Sequence, residues 1–151
     1  MSSHIIGVND AQALPFSAAL ARRIREAVQA TLTEAPRGGP GPAVAEISVT
    51  LVEPLAMREL NARFHQVDEV TDVLAFGLGE SEAGESLLGD IYVCTAVAVA
   101  FAEEHDDDPE DEIVRLAIHG TLHLLGHEHP EGADRYDSDM YRLQERLLRS
   151  G

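Results

Sequence analysis

Residues 117–129 read AIHGTLHLLGHEH, and they end a helical pattern that is apolar on nearly every side. Apolar side chains recur at helical spacing in two rows, formed by Val114, Ile118, Leu122 and Leu125 and by Ile113, Leu116, Ala117 and Leu124. Asp108 and Pro109 suit the N-cap and the first helical position, so a helix is predicted from there to about Gly126. A helix that is apolar nearly all round is buried. The sequence therefore predicts that this helix lies in the interior of the fold.

Strand and helix patterns alternate on both sides of this helix. In residues 44–52 the apolar side chains alternate with polar ones, which is typical of a half-buried strand. The other predicted strands are 4–8, 71–76 and 87–94, the last two forming a hairpin; the other predicted helices are 15–33, one from Pro54, one capped by Thr95, and one marked by Tyr136, Met140, Leu143 and Leu147. We expect a single domain over 1–151 of the α/β (α+β) layered class, with a mixed, mostly parallel four-stranded sheet and helices packed on it.

The composition excludes several classes of protein function. The 151 residues include 27 acids and 11 basic residues, all of them Arg, for a net charge of -16. The absence of Lys excludes P-loop and Schiff-base lysine chemistry, and the one Cys, Cys94, excludes a disulfide scaffold. The acidic balance argues against capture of nucleic acid by a broad basic face. Without a recognisable signal peptide or an apolar run of about 20 residues, we expect a cytoplasmic protein with no membrane partner.

Three histidines predict a metal site. His119 and His123 lie four residues apart on one helix face, and Gly126 can end the helix so that the chain turns back with His129. Three imidazoles favour zinc and also suit copper or nickel. With zinc they leave a fourth position open, which is the catalytic arrangement. One zinc ion per chain is expected. Zinc can lower the pKa of a bound water to about 7, which makes the zinc-bound water one candidate for the nucleophile. The alternative is a set of core histidines hydrogen-bonded to the backbone.

A zinc peptidase is the obvious rival, because metzincin proteases share this histidine spacing. Those enzymes carry Glu directly after the first His as the general base. Here that position is Gly120, so a peptidase is disfavoured.

The histidine stretch and two upstream blocks resemble the YbeY endoribonuclease family. The matching blocks are 60–61 through TDVLAF at 71–76, LGDI at 88–91, and HGTLHLLGHEH at 119–129. The resemblance implies a zinc-dependent, single-strand-selective endoribonuclease that matures the 3′ end of small-subunit ribosomal RNA and takes part in ribosome quality control. It implies His119, His123 and His129 as zinc ligands, and single-stranded ribosomal RNA, the small ribosomal subunit and its assembly factors as partners, with no DNA.

Two further residues are candidates for the expected site. His65 stands where the family usually has an active-site Arg, which makes it the catalytic candidate. Asp90 is predicted either to hold a ligand imidazole through its second nitrogen or to cap a turn after Gly89. His127 is expected to face solvent. The acidic charge and the replacement of that Arg keep a second hypothesis open, a non-enzymatic ribosome assembly factor with a structural zinc.

Overall fold

A four-stranded mixed sheet forms the middle layer of the computed structural model, which describes residues 3–12, 17–36, 41–80 and 86–150. The strand order is β1-β2-β4-β3, with β1 parallel to β2, β2 parallel to β4, and β3 antiparallel to β4. The elements in chain order are β1 (Ser3–Ala11), α1 (Ala18–Glu34), β2 (Val44–Val52), α2 (Pro54–His65), β3 (Val73–Glu80), β4 (Ser86–Cys94), α3 (Thr95–Glu104), α4 (Pro109–Leu124), a 3-10 helix (Gly132–Asp137) and α5 (Asp139–Ser150). The predicted fold class and the hairpin of β3 and β4 are confirmed.

The two faces of the sheet carry different layers. On one face the buried side chains of β2 and β4 pack with α1, α4 and α5 in the main core, and Ile113, Ile118 and Leu122 of α4 are fully buried there. On the other face α2 covers one end of the sheet through Met57, in a smaller cluster with Val52, Leu74 and Cys94. The period-2 alternation of β2 produces this split, because successive side chains point to opposite faces of a sheet.

Capping residues at both ends of helix α4 set its limits. The carboxylate of Asp108 accepts hydrogen bonds from the amides of Glu110 and Asp111, and Pro109 follows it. At the other end the amide of Gly126 donates to His123 O and that of His127 to Leu122 O, which is the Schellman pattern. Gly126 has φ 94°, a left-handed conformation that Gly adopts at little cost. The helix therefore ends at Leu124, slightly before the predicted end.

Helix α4 lies unusually close to β4 at one glycine. A Cβ atom built on Gly120 would lie 2.9 Å from Cγ2 of Ile91, so the contact requires the missing side chain. A second close approach occurs at Gly89 of β4, where an added Cβ would lie 2.6 Å from a methyl group of Leu124. These two contacts fix the height of the C-terminal half of α4 above the sheet.

Several boundaries differ from the sequence predictions. Strand β1 is longer than 4–8 because backbone pairing with β2 continues along an exposed edge. The predicted start of α1 at residue 15 lies outside the described residues. Tyr136 belongs to the 3-10 helix rather than to α5, because extended backbone at Ser138 separates the two helices. Thr95 lies inside α3, whose N-cap is Cys94. Among the described residues, no helix has the length and hydrophobicity needed to cross a membrane.

Candidate metal centre

The three predicted histidines converge at the C-terminal end of α4. His119 and His123 project from the last turns of the helix, and the Gly126 turn returns the chain so that His129 joins them. One ligand nitrogen from each ring lies within 4.8 Å of the others. The Nε2 atoms of His119 and His123 are 3.0 Å apart. The structure thus brings together side chains that the sequence separates by up to ten positions.

Each imidazole uses its Nδ1 nitrogen to bond an oxygen atom. The partners are Gln144 Oε1 at 2.7 Å for His119, the His127 carbonyl at 3.1 Å for His123, and the Pro130 carbonyl at 2.8 Å for His129. A carbonyl oxygen only accepts hydrogen bonds, so Nδ1 carries the proton in each ring. Nε2 is then the unprotonated nitrogen with a lone pair. The Nε2 atoms of His119 and His123 are 3.0 Å apart, so their lone pairs repel each other. A cation bound between them would offset this repulsion.

The environment of His119 and His123 favours the neutral form of these two rings, which is the form that binds metals. Burial lowers the pKa of His119 to about 4, against the opposing effect of its bond to Gln144, and the nearby His123 and His129 lower it further. Burial also lowers the pKa of His123, and the charge that His129 would carry acts in the same direction. Deprotonated imidazole is the ligand form.

The donor set fits a zinc ion. Zinc–nitrogen bonds of about 2.0–2.1 Å in a tetrahedron put neighbouring ligand nitrogens roughly 3.3 Å apart. The 3.0 Å separation of the two helical Nε2 atoms is close to this value. Three nitrogen ligands also leave one tetrahedral position open to a water or a substrate oxygen.

The structure does not bring His65 to this cluster. His65 is the last residue of α2, is exposed, and stacks on Phe76 with ring centroids 5.5 Å apart. The Phe76 side chain belongs to the smaller core on the α2 face of the sheet. The geometry therefore gives His65 no contact with the three imidazoles.

Asp90 lies on the same remote face. Its neighbours Gly89 and Ile91 contact Leu124 and Gly120 of α4, so the side chain between them points to the opposite side of the sheet. The oxygen that holds His119 comes instead from Gln144. His127, expected to face solvent, is half-buried, and its Nε2 bonds the Ala35 carbonyl at 2.7 Å. That bond ties the turn after α4 to the end of α1.

Gln144 is the site residue that sequence reasoning missed. It is 5% exposed and lies on the buried face of α5 with Met140 and Leu147. A polar residue at helical spacing within an apolar row was the available signal, because a buried amide requires a partner. Nothing in the sequence showed that the partner would be His119, 25 positions earlier.

A cavity of about 440 Å³ opens beside the three imidazoles. His119, His129 and Gln144 form part of its wall, together with residues of the 3-10 helix and α5. Arg115 lies in the same wall and makes ion pairs with Asp107 at 2.8 Å, Glu112 at 2.5 Å and Glu145 at 2.8 Å. Burial raises the pKa of Glu112, and the bond from Arg115 opposes that effect. This cluster joins α4 to α5 and to the loop before α4.

Comparisons with known proteins identify one family. The family model described as endoribonuclease YbeY matches residues 8–150. A protein of Desulfitobacterium hafniense named endoribonuclease YbeY is 42% identical over 112 residues, covering 69% of this chain and 70% of its own. One of Moorella thermoacetica with the same name is 41% identical over 113 residues, covering 69% and 71%.

The fold also matches a solved structure. A Thermotoga maritima protein with a known solution structure aligns with a TM-score of 0.61 and 27% identity, covering 95% of this chain and 87% of its own. The match of the family model over nearly the whole length, together with relatives about 40% identical, places this chain in the YbeY endoribonuclease family.

Proposed function

We propose that this protein is a zinc-dependent endoribonuclease that cuts single-stranded RNA. The observation that carries the proposal is the geometry of the imidazoles, whose Nδ1 protons are committed to oxygen acceptors while the Nε2 lone pairs converge. The names of the relatives supply the reaction class, and the cavity beside the cluster supplies space for a substrate.

The residues of the chain have separate tasks in this proposal. His119, His123 and His129 hold the ion, and Gln144 orients the first of them. When bound, zinc lowers the pKa of a water ligand and offsets the charge of a phosphodiester, and both effects favour hydrolysis at neutral pH. The cavity volume of about 440 Å³ favours an unpaired strand, because a duplex is too wide to bring its backbone into so small a space.

The proposal extends to the RNA substrate, the cellular location and the partner proteins. We infer that the substrate is the 3′ region of small-subunit ribosomal RNA in the cytoplasm, and that the protein also acts in ribosome quality control. Small-subunit assembly factors are the proposed partners. The net charge of -16 is a reason to expect docking on a ribosomal particle, since the chain lacks the broad basic face that captures free nucleic acid.

The test is cleavage of an end-labelled single-stranded RNA that ends in the small-subunit 3′ region. Wild type, His123→Ala and the control His4→Ala are purified identically, and zinc is measured in each. His4 bonds Gln29 and Pro42 and does not line the cavity. We expect cleavage by wild type and His4→Ala only, with about one zinc per chain in both, and no cleavage when a complementary strand covers the site.

The acidic charge also favours a second candidate, a ribosome assembly factor in which zinc only supports the fold. Under that hypothesis wild type binds zinc and small subunits but leaves the RNA intact. Equal cleavage by wild type and His123→Ala would indicate a contaminating ribonuclease and would count against the nuclease proposal. Cleavage of a peptide library would instead revive the peptidase, which Gly120 disfavours.

A further inference from the structure

The 3-10 helix and the residue that follows it form one wall of the cavity beside the three imidazoles. Arg135, Tyr136 and Ser138 line the cavity from one side, and His119 and His129 line it from another. Its volume of about 440 Å³ lies within the range of small-ligand pockets. A ligand in this space would touch the metal cluster and the 3-10 helix at once.

Arg135 provides this cavity with a cationic group that pairs with no carboxylate of the residues the structure describes. Of the two arginines in the wall, Arg115 is committed to three carboxylates, whereas Arg135 makes no ion pair among the described residues. Its guanidinium instead donates to the Tyr136 hydroxyl at 3.3 Å. A half-buried, unneutralised Arg in a chain of net charge -16 is suited to an anionic ligand.

Tyr136 supplies a flat aromatic surface next to that charge. Tyr136 is 44% exposed, and the Arg135 guanidinium carbon lies 5.1 Å from the centroid of its ring. Tyr141 meets the same ring edge to face, with the centroids 5.3 Å apart and the planes at 83°. Exposed aromatic rings beside Arg are the surfaces on which proteins stack unpaired bases.

Local hydrogen bonds hold the backbone that carries both side chains. The Arg135 carbonyl accepts from the Ser138 hydroxyl at 2.6 Å and from the Ser138 amide at 3.3 Å. The same hydroxyl accepts from the Tyr141 amide at 3.2 Å, which locks the 3-10 helix to the start of α5. The wall is therefore built before a ligand arrives.

The acidic groups of the cavity do not compete for Arg135. Asp107 and Glu112 pair with Arg115, and the Asp72 carboxylate accepts from the amide of Val73 at 2.8 Å. These carboxylates repel phosphate from their part of the wall. A phosphate is thereby directed toward Arg135.

We propose that this cavity is a nucleotide subsite in which Arg135 binds a phosphate of the RNA and Tyr136 stacks the attached base. The proposal rests on the proposed ribonuclease function and names the residues that position the strand beside the three imidazoles. It makes Arg135 and Tyr136 binding residues.

Three small probes separate the two contacts. Adenosine 5′-monophosphate, adenosine and ribose 5-phosphate are titrated into the metal-loaded protein by calorimetry. Arg135→Gln should weaken adenosine 5′-monophosphate about tenfold or more, as expected for a lost charge-assisted hydrogen bond. Tyr136→Leu should weaken it at least about fivefold through lost stacking. Ribose 5-phosphate should lose affinity in Arg135→Gln and keep it in Tyr136→Leu.

Two variants serve as controls. Arg146→Gln removes the same charge from an exposed position of α5 that does not line the cavity, and it should bind like wild type. Tyr136→Phe keeps the ring and should retain affinity to within about twofold, since stacking uses the ring face. Unchanged binding in Tyr136→Leu, or an equal loss in Arg146→Gln and Arg135→Gln, would overturn the subsite.

These titrations are independent of RNA cleavage. If wild type leaves RNA intact but its nucleotide binding depends on Arg135 and Tyr136, the subsite stands and the ribonuclease proposal fails. If wild type cuts RNA while both variants bind and cut as wild type does, the ribonuclease stands and the subsite fails.

Discussion

At the scale of single residues, the metal cluster depends on which nitrogen of each ring is free. The partners of His123 and His129 are backbone carbonyls, which the chain supplies wherever the turn after Gly126 forms. The partner of His119 is a side chain, the buried amide of Gln144. His119 is therefore the ligand whose orientation a single substitution can change.

We expect Gln144→Leu to lower zinc affinity by roughly 10–100-fold, the usual effect of removing a group that orients a metal-binding histidine. The substitution also leaves the Nδ1 proton of His119 without its acceptor. Gln144→Glu keeps an acceptor at the same place and should retain the metal. Competition with a chromophoric chelator measures all three proteins, and equal affinities in wild type and Gln144→Leu would contradict the role of Gln144.

The lowered pKa of His119 predicts a pH dependence of stability in the metal-free protein. Its pKa is about 4 when folded and near 6.5 when unfolded, so between these values only the unfolded state binds the proton. Stability is then complete above pH 6.5 and is lost as the pH falls toward 4, by about 1.4 kcal/mol for each pH unit. Urea unfolding at pH 7 and pH 5 should differ by about 2 kcal/mol.

The comparison protein for that measurement is His119→Gln, which removes the titrating group. Its unfolding free energy should change less between pH 7 and pH 5 than that of wild type. A parallel loss in both proteins would assign the pH dependence to other groups.

The residues of the cluster were predictable from sequence to the extent that they lie close together in the chain. His119, His123 and His129 follow from helical spacing and one glycine. Gln144 and the cavity depend on how α5 packs against α4, which no local pattern shows. The placement of His65 and Asp90 depends on which face of the sheet each side chain occupies.

At the scale of secondary-structure elements, the packing of α4 on the sheet sets the position of the metal cluster. Gly120 lies between His119 and His123 and contacts Ile91 of β4 directly. The distance between α4 and β4 at this point therefore sets the backbone positions from which the side chains of His119 and His123 project.

We expect Gly120→Ala to lower the free energy of unfolding by about 1–3 kcal/mol, because the added methyl group overpacks the contact. The loss should occur even though Ala favours a helix over Gly by about 1 kcal/mol. Gly7→Ala, where the added Cβ would have no atom within 4 Å, should stay within about 0.5 kcal/mol of wild type. Urea denaturation checks both variants, and a stabilised Gly120→Ala would refute the close-packing argument.

The elements themselves were predictable where a local signal was strong. The limits of β2 agree with the alternating pattern, and α4 begins where Asp108 and Pro109 predict it. Edge strand β1 and the 3-10 helix carry weaker signals, because backbone pairing and the Ser138 turn decide their limits. The Schellman turn placed the end of α4 at Leu124, slightly before Gly126.

At the scale of the whole molecule, an excess of 16 negative charges has to coexist with a polyanionic substrate. The ion pairs commit Arg23, Arg58, Arg115 and Arg142 to carboxylates. Of the two arginines that line the cavity, Arg115 is among these, so within the cavity attraction of RNA is expected from the metal cluster and Arg135.

We expect the affinity for a short single-stranded RNA to depend weakly on salt. One or two phosphate contacts give a loss of less than about tenfold between 50 and 200 mM salt, against 10³–10⁵ for a protein with six to ten contacts. Stopped-flow anisotropy of a labelled RNA, read before cleavage begins, measures this slope. A loss near a thousandfold would show an extended basic track instead.

The turn at Gly126 divides the ligands between a helix and the segment that leads to Arg135 and Tyr136. An ion that holds all three rings also holds that segment against α4, and a nucleotide bound by Arg135 holds it from the other end. Coupling between two sites is reciprocal, so each ligand would increase the affinity for the other by the same factor. The protein would then retain its metal most firmly while engaged with RNA, and exchange it most readily when RNA is scarce.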